Sequence, residues 1–222
     1  MATIRILESR TDPQFWPTLE LYVESFPRDE RVPLGRMAEF FGGDAREGKE
    51  DGGVLWRVAI AEEGSELAGF RVFAVDLQSG LVFLVYLAVD PRFRRRGIGQ
   101  LLIDYAREDS QQELGEKPLV AMFLECERPE LVEGEEHEKR KERLRLFGKY
   151  GARIISRSYV MQSMGEGRDP VPMILLAYPV AEQIEWVEAV KSFHRRFHSL
   201  PAGSSLEVEC LKGLEPTPLI PY

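Results

Sequence analysis

Hydrophobic residues recur at helical spacing near the start of the chain. Phe15, Leu19, Tyr22, Val23 and Phe26 mark one apolar helix face, opened by Asp12-Pro13 and closed by Pro27. Thr3 to Leu7 reads as a short strand before it. Leu34 to Phe41 predicts a second helix stopped by Gly42-Gly43, with a charged loop from Asp44 to Gly53. Three strand-like runs follow: Val54 to Ala61, Leu67 to Val75 and Leu81 to Val89. The turn signals Glu63-Gly64 and Ser79-Gly80 separate them, so they predict an antiparallel meander. Leu81 to Val89 is apolar on both faces and should be a covered, central strand.

After Gly99 the period changes. Ile98, Leu102, Tyr105 and Ala106 predict a helix to about Glu113, and Pro118 to Cys126 a further strand. The charged stretch Glu133 to Arg145 leads into Leu144, Phe147 and Tyr150, again helical. Arg153 to Met161 and Val171 to Tyr178 read as strands. Ala181 to His198 reads as a long amphipathic helix on Ile184, Val187, Val190, Phe193 and Phe197. The tail, with Pro201, Pro216, Pro218 and Pro221, is expected to be irregular. This order gives a mixed α/β (α+β) layout around one sheet.

Charge and cysteine usage narrow the class. The 222 residues carry 29 Lys and Arg against 37 Asp and Glu, a formal net charge of −8. So acidic a chain argues against non-specific nucleic-acid binding, yet allows a local basic site for an anion. The apolar run Leu81 to Val89 is much shorter than the roughly 20 residues that cross a bilayer, so no membrane partner is expected. Cys126 and Cys210 form no disulfide framework and lack metal-ligand spacing. The first residues lack the apolar core of a signal peptide, and a cytoplasmic location is expected. His194 and His198 share a helix face at i, i+4 with no third ligand evident, so no metal is expected.

The segment from Val85 to Leu102 carries the candidate chemistry. A buried strand runs through Leu87, Ala88 and Val89 into Asp90-Pro91, then into Arg92, Arg94, Arg95, Arg96, Gly97, Ile98, Gly99 and Gln100, where a helix opens. A helix start leaves about four backbone N–H groups unpaired and carries partial positive charge, which suits a pyrophosphate. Gly97 and Gly99 let phosphate oxygens approach the backbone. A solvated, arginine-rich turn is the plainer reading. Neither a P-loop nor a dinucleotide fingerprint fits, because Gly-Lys-Ser/Thr is missing and the third glycine position holds Leu102.

The same segment resembles the acyl-CoA-binding motif of the GNAT superfamily of N-acyltransferases, Arg/Gln-x-x-Gly-x-Gly/Ala, on Arg94, Gly97 and Gly99. The element order agrees from residue 3 to about residue 179. The resemblance implies a mostly antiparallel central sheet flanked by helices, with the fourth strand (Leu81 to Val89) splayed from the fifth (Leu119 to Cys126). It implies a catalytic domain over 1–179, followed by a helix and irregular tail over 180–222 that pack on the core or form a homodimer contact. It implies acetyl-CoA as cofactor, with Leu87 and Val89 bonding the pantetheine arm and the amides from Arg95 to Gln100 holding the pyrophosphate. The family's helix ending in Phe-Tyr-x-x-x-Gly-Phe aligns with Leu146 to Ala152. The tyrosine that protonates the leaving thiolate then falls on Phe147, which packs on the cofactor but cannot give a proton. Tyr150, one turn later, either takes that role or is a core residue before the Gly151 cap.

An amine must lose a proton before it attacks, so a base is needed. Glu125 and Glu127 stand two apart on one strand face and would raise each other's proton affinity. Alternatively they end a strand at the solvent edge beside Arg128. Tyr86, opposite Leu87 and Val85, lines the acceptor pocket or belongs to the core. Glu24, Glu30 and Arg31, where the family binds its acceptor, select the substrate or form a surface salt-bridge cluster. The implied function is transfer of an acetyl group to a primary amine of a small molecule or peptide, by direct attack in a ternary complex. A catalytically inactive acyl-CoA sensor or scaffold, and an interaction protein whose arginine turn binds acidic partners, remain as alternatives. The acceptor has no readable code; the loop from Met164 to Asp169 is one place it would contact.

Overall fold

The structure is a computed structural model describing residues 2–41, 53–163 and 169–218. The predicted Gly42-Gly43 stop, the 44–52 stretch of the following loop, the 164–168 part of the acceptor loop and Pro221 lie outside the described residues. The chain divides between Pro118 and Leu119 into two compact units. Both are α/β, built of antiparallel strands covered by helices, as the sequence pattern predicts.

The N-terminal unit contains β1 (Thr3–Ile6), α1 (Phe15–Ser25), α2 (Leu34–Glu39), β2 (Val54–Glu63), β3 (Glu66–Asp76), β4 (Leu81–Val89) and α3 (Ile98–Leu114). The strands lie in the order β1-β2-β3-β4, every pair antiparallel. One sheet face buries Val58, Ile60, Phe70, Val72, Tyr86 and Ala88 against Phe15, Leu19, Tyr22 and Met37 of α1 and α2. Phe15, Leu19 and Tyr22 of the stripe read from spacing are the core-facing side of α1 and Phe26 packs against it, but Val23 is exposed. Helix α3 packs on β2, β3 and β4, burying Ile98, Leu102, Ile103 and Ala106. Leu87 and Val89 point to this side, because their side chains are the nearest to a Cβ built on Gly99.

Val72 pairs with Tyr86 and Phe73 with Leu84, so Val85 is the extra residue of a β-bulge. The bulge corrects one expectation. Val85 does not follow Leu87 to the α3 side but packs against the cluster that holds Tyr86.

The C-terminal unit contains β5 (Ala121–Glu127), α4 (Gly134–Lys149), β6 (Arg153–Ser156), β7 (Val160–Met161), β8 (Val171–Pro179), α5 (Trp186–His198), α6 (Ser205–Lys212) and β9 (Leu214–Pro218). Its strands run β5-β8-β6-β9, with β7 pairing β8. The strand expected from Arg153 to Met161 is broken at 157–159, where the chain bends and buries Tyr159. The last long helix starts at Trp186 rather than Ala181, and its buried face is Ala189, Val190, Phe193, His194 and His198. Val187 is exposed.

The tail is not irregular. Ser204 caps α6 by accepting from the Glu207 amide at 3.4 Å, and β9 pairs with β6. Pro216 and Pro218 mislead because proline is tolerated on an edge strand, which is where β9 lies. Cys210, read as a tail residue, is fully buried on α6.

Gly69 of β3 marks a close approach. A Cβ there would lie 2.6 Å from the Ala88 carbonyl oxygen and 3.3 Å from the Val89 Cα, both backbone atoms that cannot swing aside. Gly69→Ala should lower stability by about 1–3 kcal/mol, as overpacking does, read as a shift in the urea unfolding midpoint; an unchanged midpoint would refute the close approach.

Candidate active site

The turn from β4 into α3 is assembled from local constraints. Asp90 opens it: its carboxylate accepts the Arg92 amide at 2.8 Å and bonds the Arg92 guanidinium, which holds the carboxyl below its ordinary pKa. Pro91 begins a single 3-10 turn, Pro91–Phe93, and Phe93 plugs into the core. Arg95 then takes a left-handed φ of 63°, unusual for a residue with a side chain, and Gly97 takes 79°.

Gly97 is the N-cap of α3 and supplies no side-chain acceptor. The first bond into the helix runs from the Leu101 amide to the Gly97 carbonyl at 3.1 Å, so the amides of Ile98, Gly99 and Gln100 stand outside the helical ladder. Nothing lies within 4 Å of a Cβ built on Gly97. These features together have the geometry of a helix-start cradle, which suits an anion.

The arginines divide into two pairs. Arg92 bonds Asp90 and Glu66, and Arg96 bonds Glu63 at 2.8 Å; both guanidinium groups lie over the Phe93 ring. Their charge is engaged in bracing the turn. Arg94 donates to the Val89 carbonyl at 3.1 Å, and neither Arg94 nor Arg95 has a carboxylate partner among the described residues. Net positive charge at the cradle comes from these two. The Arg94 bond also takes up the Val89 carbonyl, one of the groups assigned to the pantetheine arm. Gln100 reaches along the helix to Asp104 at 2.8 Å.

The acceptor-side candidates cluster around Tyr86. Its hydroxyl donates to the Glu30 carbonyl at 3.0 Å and accepts the Val32 amide at 3.1 Å, while the Tyr22 hydroxyl donates to the Val32 carbonyl. Arg31 donates to the Val23 carbonyl at 3.2 Å. Tyr86 is buried and edge-on to Tyr22 and Phe26. Its hydroxyl thus pins the segment joining α1 to α2, which fixes where Glu30 and Arg31 sit.

In the C-terminal unit the two candidate bases have separate neighbours. Glu125 accepts a hydrogen bond from the Tyr159 hydroxyl and lies 3.6 Å from His198 Nε2. Glu127 pairs with Arg143 of α4. Arg128, considered as their partner, instead bonds Glu130 at 2.8 Å. Phe147 is buried on α4, and Tyr150 is the half-buried C-cap of that helix, its hydroxyl without a protein partner among the described residues.

Sequence reasoning missed Tyr159 altogether. The i, i+4 histidine pair was the available signal, but a helix face does not reveal which strand residue it meets. His194 and His198 are both buried, and burial pushes their pKa values down to about 4 and about 3; for His198 the neighbouring His194 adds to the effect.

The model of the acetyltransferase (GNAT) family matches residues 15–130. Solved structures agree in fold. A GNAT-family protein from Bacteroides thetaiotaomicron superposes with a TM-score of 0.65 at 20% identity, over 90% of this chain and 99% of that one. Ard1 from Thermoplasma volcanium gives 0.55 at 18%, over 82% and 99%. The PaiA N-acetyltransferase from Thermoplasma acidophilum, solved in complex with coenzyme A, gives 0.53 at 12%, over 81% and 99%. No curated protein matches the chain in sequence.

The buried histidines make a stability prediction. Both are neutral in the folded chain, and the unfolded chain binds their protons below a pKa near 6.5. Stability should therefore be full above about pH 7 and fall as the pH drops through 6.5 toward 4, by up to about 1.4 kcal/mol per pH unit for each histidine. Urea midpoints at pH 7, 6 and 5 measure this, and His198→Gln should flatten the slope. A slope unchanged by that substitution would contradict the assignment.

Proposed function

The chain belongs to the GNAT acetyltransferase family, and we propose that it transfers the acetyl group of acetyl-CoA to a primary amine by direct attack in a ternary complex. The observation that carries the reading is the start of α3: a left-handed Gly97 without a side-chain cap, followed by three amides outside the ladder and flanked by Arg94 and Arg95. The coenzyme A complex of the PaiA relative supports the choice of ligand.

In this reading the amides from Arg95 to Gln100 hold the diphosphate, Gly97 and Gly99 keep the approach clear, and Leu87, Ala88 and Val89 guide the arm. Phe147 packs on the coenzyme. The ligand supplies the activated thioester carbonyl. Glu125 takes the proton of the acceptor ammonium, with Glu127 beside it on the strand, and Tyr150 is the group available to protonate the leaving thiolate. Glu30 and Arg31, placed by the Tyr86 hydroxyl, face the acceptor. Glu127 is the weaker candidate base, since the Arg143 guanidinium already occupies its carboxylate.

A second reading has one specific observation in its favour. Phe147 stands where the family's helix pattern has its tyrosine, and it is buried rather than poised. An inactive acyl-CoA sensor would bind the coenzyme and release no thiol.

Thermal unfolding with and without acetyl-CoA, followed by thiol release with spermidine, a lysine-containing peptide and a free peptide N-terminus, separates these readings. Saturation at about 100 times the Kd should stabilise the chain by about 2.7 kcal/mol. Gly99→Val is the informative variant. A Cβ at Gly99 meets only Val89 and Leu87 side-chain carbons at 3.9 and 4.0 Å, which are ordinary contacts. It should weaken acetyl-CoA at least about tenfold, or 1.4 kcal/mol, while the ligand-free unfolding temperature barely moves. Undiminished binding in that variant would remove the pyrophosphate from this site. Stabilisation without thiol release on any amine favours the sensor.

A further inference from the structure

Three side chains from three elements of the C-terminal unit meet in a buried cluster. β5 brings Glu125, the bend between β6 and β7 brings Tyr159, and the last turn of α5 brings His198. Their side chains are nearly enclosed, with Glu125 9% and His198 5% exposed. Tyr159 and His198 are held from behind. The Tyr159 carbonyl accepts the Met173 amide at 3.0 Å, and its ring stacks on His194 with centroids 5.8 Å apart. The His198 carbonyl accepts from the Gln162 side chain at 2.9 Å.

Counting protons gives the cluster a direction. The Tyr159 hydroxyl has one hydrogen, and burial beside Glu125 raises its pKa well above the ordinary value, so the hydrogen stays. It is donated to Glu125 Oε1. The hydroxyl oxygen then has its lone pairs for His198 Nε2, 3.2 Å away, in the tautomer of the neutral ring that carries its proton there. The chain reads His198 N–H to Tyr159 O–H to Glu125 carboxylate. The other ionisable groups packed around it are His194 on α5 and Glu207 and Cys210 on α6. Glu207 accepts the Gly203 amide at 2.8 Å, and burial raises the Cys210 thiol to about 11.

We propose that Tyr159 and His198 are positioning residues for Glu125: they hold its buried carboxylate ionised and fixed in orientation, ready to take the proton of the acceptor amine. The proposal rests on the acetyl-transfer reading above. The acceptor R–NH3+ gives one proton to Glu125. The freed nitrogen lone pair forms the C–N bond to the acetyl carbonyl carbon, and the C–S bond breaks with its electron pair on sulfur. Tyr150 gives its proton to that thiolate and regains one from the nitrogen's excess proton, leaving amide and thiol, and Glu125 returns its proton to solvent. A buried carboxylate without donors would hold a proton at neutral pH and could not begin this sequence. The two residues sit outside the segment that carries the family motif, and no sequence spacing links them to Glu125.

The test uses the full chain labelled with 13C at the glutamate δ-carboxyl, with Glu125→Gln assigning the signal. Tyr159→Phe keeps the ring packing and removes the donor. Its Glu125 titration midpoint should rise by about one pH unit, the size of a lost bond to a charged acceptor. The acid limb of kcat/KM with the best amine of the panel should move by the same amount, with KM for acetyl-CoA within about twofold of the parent. His198→Gln, which retains an N–H, should shift both by less than His198→Ala. If Tyr159→Phe lowers the unfolding temperature but leaves the Glu125 midpoint and the acid limb in place, the residues are structural and the proposal is overturned. Should the parent chain neither gain stability from acetyl-CoA nor release thiol, the acetyl-transfer reading fails on its own. The carboxyl titration then still decides whether Tyr159 and His198 govern Glu125.

Discussion

The passage from β4 into α3 depends on a backbone that L-residues avoid. Gly97 sits at φ 79° and Arg95 at 63°, two left-handed residues within three positions. Such conformations cost about 1–3 kcal/mol for a residue with a side chain and persist where the surroundings over-determine them. Here the surroundings are explicit. Asp90 caps the preceding turn, Phe93 anchors it in the core, Arg94 ties back to Val89, and Arg92 and Arg96 brace it through Glu66 and Glu63. A glycine cap brings no side-chain oxygen, so the amides that follow it stay out of the ladder and aim together. Two of the four arginines are consumed in making that possible, leaving Arg94 and Arg95 as the charge available to a ligand.

The sheet serves the same geometry. Gly69 lets β3 approach the end of β4, and the Val85 bulge keeps Tyr86 on the α1 side while Leu87 and Val89 face α3. One strand end thereby addresses two tasks. Tyr86 fixes the segment between α1 and α2, and Leu87 and Val89 lie beside the cradle.

Much of this was legible in the chain. The helix and strand periods placed α1, β2, β3, β4 and α3 close to their observed bounds, because the helices bury one face and the strands are covered by helices on both sides. The turn into α3 was legible because it is local: strand, turn, glycine and helix are contiguous in sequence. Three things were not. The Val85 bulge changes facing without changing composition. The proline-rich tail hides an edge strand, since β9 depends on β6 for its partner rather than on its own propensity. The Glu125–Tyr159–His198 cluster joins residues 34 and 39 positions apart, and only the folded C-terminal unit brings them together.

Backbone amides at the start of α3 are proposed to bind a diphosphate. Amide resonances of the 15N-labelled chain, followed during titration with coenzyme A, test it most directly. The account predicts the largest shifts at Arg95 through Gln100, moving together with one saturation curve. Saturable shifts centred elsewhere, with those amides unmoved, would contradict it.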